Sequence, residues 1–530
     1  MELQVLKLVF TAFTVVFLGA VIRVLDIMIW RPQRLRSKLR EQGVRGPPGS
    51  FLIGNLRDIK IKMLRSHSTT PSKPPSQEDE QALTHDCSSE LFPSLDCWRQ
   101  KYGSVFMFSV GNIQILYVYD VEAVKEMSTC TSLDFGKSSL QLKVTGPLIG
   151  QGISSSNGAH WAHQRKILAP ELYVDKVKGM INLMVESSIT LVNSWSEKIE
   201  KEGGVAEIEV DSHLRSFSGD VIAKACFGSN FAKGQEVFQK LRDLEEEISK
   251  TAFFFAIPGF RYLPTKSNRE IWKLEREIRS IILKVAKERK ETAPENDLLQ
   301  MILEGAEKSG KLGRGDLMDR FIVDNCKIFY LAGYQTTAVA ASWTLMLLAS
   351  NPEWQAKVRD EVVQVLRGGQ FPDADALRKM KTLTMVIYET LRLYPPVALF
   401  ARETLEDMKF RNIQVPKGVN IWILTVTLHQ DPEIWGPDAG RFNPERFANG
   451  VPKACKLPRT YLPFGAGPRS CLGQNFAMMQ LKVLLALIIS NFSLEISPKY
   501  RHSPALTLVI EPEFGVDLIV RRLSPSKTML

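Results

Sequence analysis

The chain has 530 residues, a formal net charge of +10, seven cysteines and a hydrophobic content of 44%, which is ample for a large core and excludes a disordered chain. The cysteines are odd in number and form no C-x-x-C pair, which argues against a disulfide framework and a zinc ribbon and for a reducing compartment. Lysine and arginine are spread along the chain, so a nucleic-acid partner is not expected; the basic surface suits an acidic membrane or protein.

Residues 8–22 carry no charge, and 24–30 extend the apolar run with only Arg23 and Asp26 interrupting. Three apart on a helix, those two can pair with each other or snorkel towards a surface. The stretch 8–30 is long enough to span a bilayer. Arg31, Arg34, Arg36, Lys38, Arg40 and Arg45 follow it, against Lys7 in front, and the positive-inside rule puts the remainder in the cytosol. A cleaved signal peptide is the competing reading, but its basic start is thin and the apolar run continues past Ala20. We therefore expect an anchor at 1–30 and a basic linker at 31–62 broken by Gly46-Pro47-Pro48-Gly49. A low-complexity surface insertion rich in Ser, Thr, Pro and acidic residues should follow at 63–92, and the body at 93–525.

Residues 105–110 and 113–119 read as a hairpin across Gly111-Asn112. From 159 to about 405 the periodicity is mostly helical, and 415–424 and 506–520 read as further strands. The fold class expected is a single large domain, mainly α with small β-sheets. Residues 328–350 are uncharged, yet Gly333, Gln335, Thr336, Thr337 and Ser342 at their centre would be costly in hydrocarbon, so the stretch is read as a core helix. Phe253-Phe254-Phe255 fits an apolar entrance or plain core.

Four segments carry chemistry. Trp161 and Arg165 lie four apart on one helix face, a pattern that a surface helix with one aromatic foot also explains. In Ala332-Gly333-Tyr334-Gln335-Thr336-Thr337 the glycine costs up to about 1 kcal/mol in a helix, and the threonine hydroxyls can bond back to the preceding turn and loosen it. Ordinary packing explains it too. Glu389 and Arg392 lie one turn apart among apolar residues, so a buried pair is expected, with Arg446 as a third member. Last comes Phe464-Gly465-Ala466-Gly467-Pro468-Arg469-Ser470-Cys471-Leu472-Gly473. A cysteine at a helix start beside a cation is held as thiolate, and a thiolate is the axial ligand an iron porphyrin needs to cleave an O–O bond. A phosphate loop fits poorly, because Ser470 stands where a third glycine belongs.

This last segment resembles the haem-binding signature of the cytochromes P-450, matched at Phe464, Gly467, Arg469, Cys471 and Gly473. The resemblance implies haem b with Cys471 on the iron, and Trp161, Arg165, Arg402 and Arg469 towards its propionates, with His429 a weaker member of that side. It also implies Thr336 in proton delivery and Glu389, Arg392 and Arg446 as a structural triad that braces the haem's proximal side. The family usually has an acid before the threonine, where this chain has Gln335; an amide can position water but cannot relay a proton as a carboxylate does. The implied partners are an NADPH-cytochrome reductase, a lipid bilayer and an apolar substrate, at the endoplasmic reticulum membrane. Three segments, 161–166, 220–228 and 323–327, resemble a plant clan with members that oxidise gibberellins and pentacyclic triterpenoid acids. Two readings from other classes compete: a haem-thiolate isomerase or dehydratase that works without NADPH, and a haem sensor with a protein side chain in the sixth iron position.

Overall fold

A 35-residue helix, Asp316–Ser350, runs through the middle of the body and is about 50 Å long at 1.5 Å per residue. Its second half is buried almost throughout, and Trp343, Leu345, Met346, Leu347 and Leu348 are fully enclosed. Only a helix inside a core meets that pattern without a membrane. Helix Val210–Phe227 packs along it. A Cβ on Gly333 would lie 2.6 Å from Ile222 Cδ1 on that neighbour, and Ser218 Oγ donates to the Gly333 carbonyl at 2.9 Å. The glycine therefore lets two helices approach. Ile222 occupies the space that a side chain at position 333 would take.

The coordinates are a computed structural model that describes residues 2–59, 85–228, 231–251, 259–291, 297–308, 315–366 and 370–523. The Phe253-Phe254-Phe255 run lies outside the described residues, as do 60–84 of the low-complexity segment. Its remaining residues belong in part to the core: His85, Cys87, Ser88 and Leu91 are buried, and Asp86 caps helix Cys87–Leu91 by accepting from the Ser89 amide. The body thus begins earlier than position 93.

The hairpin forms as its turn residues require, with Val105–Val110 antiparallel to Ile113–Val118 and Gly111 at φ 59°. It continues into a five-stranded sheet in the order Val105–Val110, Ile113–Val118, Asn420–Leu424, Leu399–Thr404, Phe135–Lys137. A three-stranded sheet joins Val205–Glu209, Asp517–Arg522 and Phe492–Ile496, and two further pairs of short strands complete the β structure. The strands at 135–137, 205–209 and 399–404 sit where no strand pattern is visible in the sequence; they are short and held by partners distant in the chain.

At the N-terminus the helix does not stop at 30. Glu2–Leu25 passes through a π-turn, Asp26–Trp30, into Arg31–Arg40 without a break. The candidate span Gln4–Arg40 is long and apolar enough to cross a membrane, and none of its most apolar window is buried in the protein. Asp26 pairs with Arg34, two turns on, in place of Arg23. The expected linker is packed: Leu39 and Val44 are buried against the sheet, and the Met107 amide donates to the Arg45 carbonyl at 2.9 Å. A Cβ on Gly46 would collide with the Met107 carbonyl oxygen at 1.7 Å, so this position needs glycine. The Gly-Pro strap therefore fixes the body to the base of the apolar helix. Asn491-Phe492-Ser493 has the form of a glycosylation sequon, but it reports poorly on orientation, because the Asn491 amide donates to the Leu487 carbonyl at 2.8 Å and Phe492 is fully buried. Orientation is better read by protease treatment of sealed microsomes. With a cytosolic body, the chain after residue 45 is digested without detergent; protection until detergent is added would reverse the assignment.

Candidate functional site

The loop before helix Gln474–Asn491 is built by its glycines. Gly465 and Gly467 have φ of 73° and 67°, and a Cβ on Gly467 would lie 2.5 Å from the Ser128 carbonyl oxygen. After the short turn Gly467–Arg469 the chain doubles back, and the Cys471 amide donates to the Phe464 carbonyl at 2.7 Å. Cys471 lies three residues before the first helical residue, outside the helix start expected for it. Protein atoms surround its sulfur, yet the residue keeps accessible surface, so it opens on an internal cavity. Burial pushes the thiol up, while the Gly473 amide, Arg165 and Lys137 pull it down. The cations beside the sulfur are thus Arg165 and Lys137. Arg469, which the sequence places next to it, points elsewhere.

Arg469 lies over the Trp161 ring at 4.2 Å and donates to the Ser156 carbonyl at 3.1 Å and to Asn157 Oδ1 at 3.2 Å. The same Asn157 oxygen accepts from the Lys137 amide at 2.7 Å, and strand pairing sets Lys137 opposite Arg402. Arg165 Nη1 donates to the Ser470 carbonyl at 2.8 Å. Burial holds Arg402 down to about 10, and burial with Arg402 and Arg165 nearby does the same to Arg469. Burial, then Arg402 and Arg469, drives Lys137 well below the usual lysine range. Among the described residues none of Lys137, Arg165, Arg402 and Arg469 pairs with a carboxylate. Cations are gathered out of water only where an anion belongs. Gly473 adds a second sign: its φ is −87°, and a Cβ there would meet nothing within 4 Å, so no protein contact demands glycine. A thiol facing a cavity, a bare glycine beside it and unpaired cations around it fit haem with its two carboxylates.

Behind the loop, Glu389 and Arg392 are fully enclosed and bonded twice, Nε to Oε2 and Nη2 to Oε1, both at 2.7 Å. Arg392 also donates to the carbonyls of His429, Ala439 and Arg441 at 2.8, 2.6 and 3.1 Å. Arg446 Nε lies 3.5 Å from Glu389 Oε1, an ion-pair contact without hydrogen-bond geometry. Its other nitrogens donate to the Trp435 and Asp438 carbonyls at 2.8 and 2.7 Å. His429 belongs here rather than with the cations. It is fully buried, its Nε2 accepts from the Leu462 amide at 2.8 Å, and burial, with Arg392 adding to it, holds its pKa down to about 3. It ties the triad to the segment that leads into the cysteine loop. His160 is held within its own helix, with Nε2 2.8 Å from Gln164 Nε2.

On the central helix Thr336 Oγ1 donates to the Ala332 carbonyl at 2.6 Å, and Ala332 and Thr336 keep accessible surface midway along an otherwise buried helix. Gln335 is 5% exposed, and its Nε2 donates to Glu245 Oε1 at 2.9 Å.

A family model described as Cytochrome P-450 matches residues 82–515. The chain belongs to the cytochrome P-450 family. It is 49% identical over 506 residues to cytochrome P-450 714C2 of Oryza sativa subsp. japonica, covering 94% of this chain and 95% of the relative. It is 46% identical to cytochrome P-450 714A2 of Arabidopsis thaliana, with 91% and 92% covered, and 44% identical to cytochrome P-450 714B3 of Zea mays, with 95% and 94% covered. The protein is therefore a cytochrome P-450 monooxygenase, an oxidoreductase of the haem-thiolate class. Three members of this P-450's polar frame escape a reading of the sequence: Lys137, Asn157 and Glu245. Lys137 reaches the cations only through the pairing of Phe135–Lys137 with Leu399–Thr404, and Asn157 and Glu245 act through partners far away in the chain. No local periodicity could have marked them.

Proposed function

We propose that this cytochrome P-450 hydroxylates or epoxidises a polycyclic terpenoid acid, a gibberellin-type diterpenoid or a pentacyclic triterpenoid. It does so at the endoplasmic reticulum membrane, with haem b and with electrons from NADPH through a separate reductase. The observation that carries the catalytic part is the accessible surface that Cys471 keeps beside cations that lack an anion. Bound haem supplies oxygen activation and the insertion of one oxygen atom into substrate. Cys471 would hold the iron, and Trp161, Lys137, Arg165, Arg402 and Arg469 would hold and neutralise the propionates. Phe464 closes the cysteine loop through its carbonyl. Glu389, Arg392 and Arg446 would keep that loop in place from behind, and the Thr336 hydroxyl would hold a proton at the oxygen side, with Gln335 beside it.

The substrate class is supported by the clan-like segments 161–166, 220–228 and 323–327 and by the apolar N-terminal helix, which brings the body to the phase where such compounds dissolve. The experiment is incubation of microsomes carrying the protein and a plant reductase with a panel of gibberellins and triterpenoid acids. Mass spectrometry should find products heavier by one oxygen, formed only with NADPH. Turnover of a hydroperoxide without NADPH would replace this reading with an isomerase or dehydratase, and a sixth iron ligand from the protein would replace it with a sensor.

A further inference from the structure

Position 335 carries an amide where proton delivery calls for an acid, and the neighbouring helix holds the missing carboxyl group. Glu245 stands on helix Phe231–Thr251, and its Oε1 accepts from Gln335 Nε2 at 2.9 Å. The Gln335 amide oxygen has no partner among the described residues and is not fully enclosed, so water can reach it. An amide suits a partner that changes protonation state. Its nitrogen donates to a carboxylate, and after a flip its oxygen accepts from a carboxylic acid. A second carboxylate at 335 would repel the first. Burial raises the Glu245 carboxyl above the ordinary range; the Gln335 hydrogen bond lowers it, Glu511 raises it, and Arg215 and Arg242 lower it. Arg215 is paired with Glu511 and lies near Tyr334, which sets this cluster beside the residue before Gln335.

We propose that Glu245 is the acidic member of the proton route at the Thr336 face, supplying from the neighbouring helix the carboxyl group that the central helix lacks. The proton passes from the Glu245 carboxyl to water held by the Gln335 amide and the Thr336 hydroxyl, and Glu245 regains a proton from solvent; no electrons move. Glu245 acts through Gln335 and water and is thus a proton-positioning residue. The inference rests on Thr336 marking the oxygen side of the site.

The test uses haem-loaded enzyme with reductase and whichever acid of the panel the unsubstituted enzyme turns over fastest. Glu245→Gln, Gln335→Glu, the double exchange and Thr336→Ala are compared for product per NADPH, solvent isotope effect on product formation, and Tm. A positioned acid contributes about 10²-fold or more, so even with partial replacement by water Glu245→Gln should lower product per NADPH at least about tenfold and raise the isotope effect. Gln335→Glu alone sets two carboxylates at hydrogen-bond distance and should lower Tm. The double exchange restores an acid–amide pair and should recover both Tm and coupling. Unchanged coupling in Glu245→Gln overturns the proposal. So does a double exchange that recovers Tm but not coupling, since the pair would then be only a clamp. If Thr336→Ala leaves coupling unchanged, the reading of the Thr336 face falls; if it uncouples while Glu245→Gln does not, only the role of Glu245 falls.

Discussion

Cys471→Ala should abolish the long-wavelength Soret band of the ferrous carbonyl complex and all NADPH-dependent turnover, with little effect on folding. The thiols enclosed elsewhere in the protein cannot take its place. Cys87, Cys226 and Cys326 are buried elsewhere in the core, with burial pushing each thiol up, and Cys455 is half-buried and raised for the same reason. His160 is engaged with Gln164, and His429 is bound to the Leu462 amide on the triad side. The loop is also independent of the sulfur: the Cys471 amide bond to Phe464 and the glycine turns survive the substitution. The lost side chain faces a cavity, so little packing goes with it and Tm should move by only a few degrees. Carbonyl difference spectra of the purified variant give the answer directly. A retained band would remove Cys471 as the iron ligand.

Arg392→Ala should cost so much stability that little haem-loaded protein is recovered. The guanidinium makes five hydrogen bonds, two to Glu389 and three to backbone carbonyls. Removing one partner of a buried ion pair costs about 3–5 kcal/mol, and each buried carbonyl left unsatisfied adds roughly 1–3 kcal/mol. The sum approaches the whole stability of an ordinary domain, about 5–15 kcal/mol. Glu389 would be left with Arg446 at 3.5 Å and the Asn443 amide at 2.9 Å, too little for a fully enclosed carboxylate. Arg392→Lys should not rescue, because an ammonium cannot present the planar fork that meets both Glu389 oxygens and three carbonyls at once. Yield of haem-loaded protein and thermal denaturation measure it. An Arg392→Lys protein with haem content and Tm near the parent would show that charge alone suffices and that the carbonyl contacts carry little.

The two sites differ in how they are written in the chain. The cysteine loop is local: glycines at 465 and 467, the turn and the thiol lie within ten residues, and close approach to Ser128 explains why the second glycine is needed. The triad was visible as a charged pair in an apolar helix, because burial of such a pair forces further partners; which carbonyls those would be was not visible. The cation set was visible in part. Trp161, Arg165, Arg402 and Arg469 have recognisable neighbours in sequence, whereas Lys137 sits on a three-residue strand with no pattern of its own.

By itself the sequence determined the apolar N-terminal helix, the hairpin at Gly111-Asn112, the central helix and the glycine-rich loop that presents Cys471. Each depends on periodicity, turn residues or spacing over a short stretch, where local sterics and hydrophobic pattern act alone. Tertiary structure decided the rest. It packed the Gly-Pro strap against Met107, filled the notch at Gly333 with Ile222, turned Arg469 away from the sulfur and onto Trp161, and brought Arg165 and Lys137 to Cys471 in its place. It also paired Gln335 with Glu245, 90 residues away along the chain. These are contacts between surfaces whose partners are chosen by shape, burial and the need of each enclosed polar group for a partner, and none of those is encoded in the residues next to them.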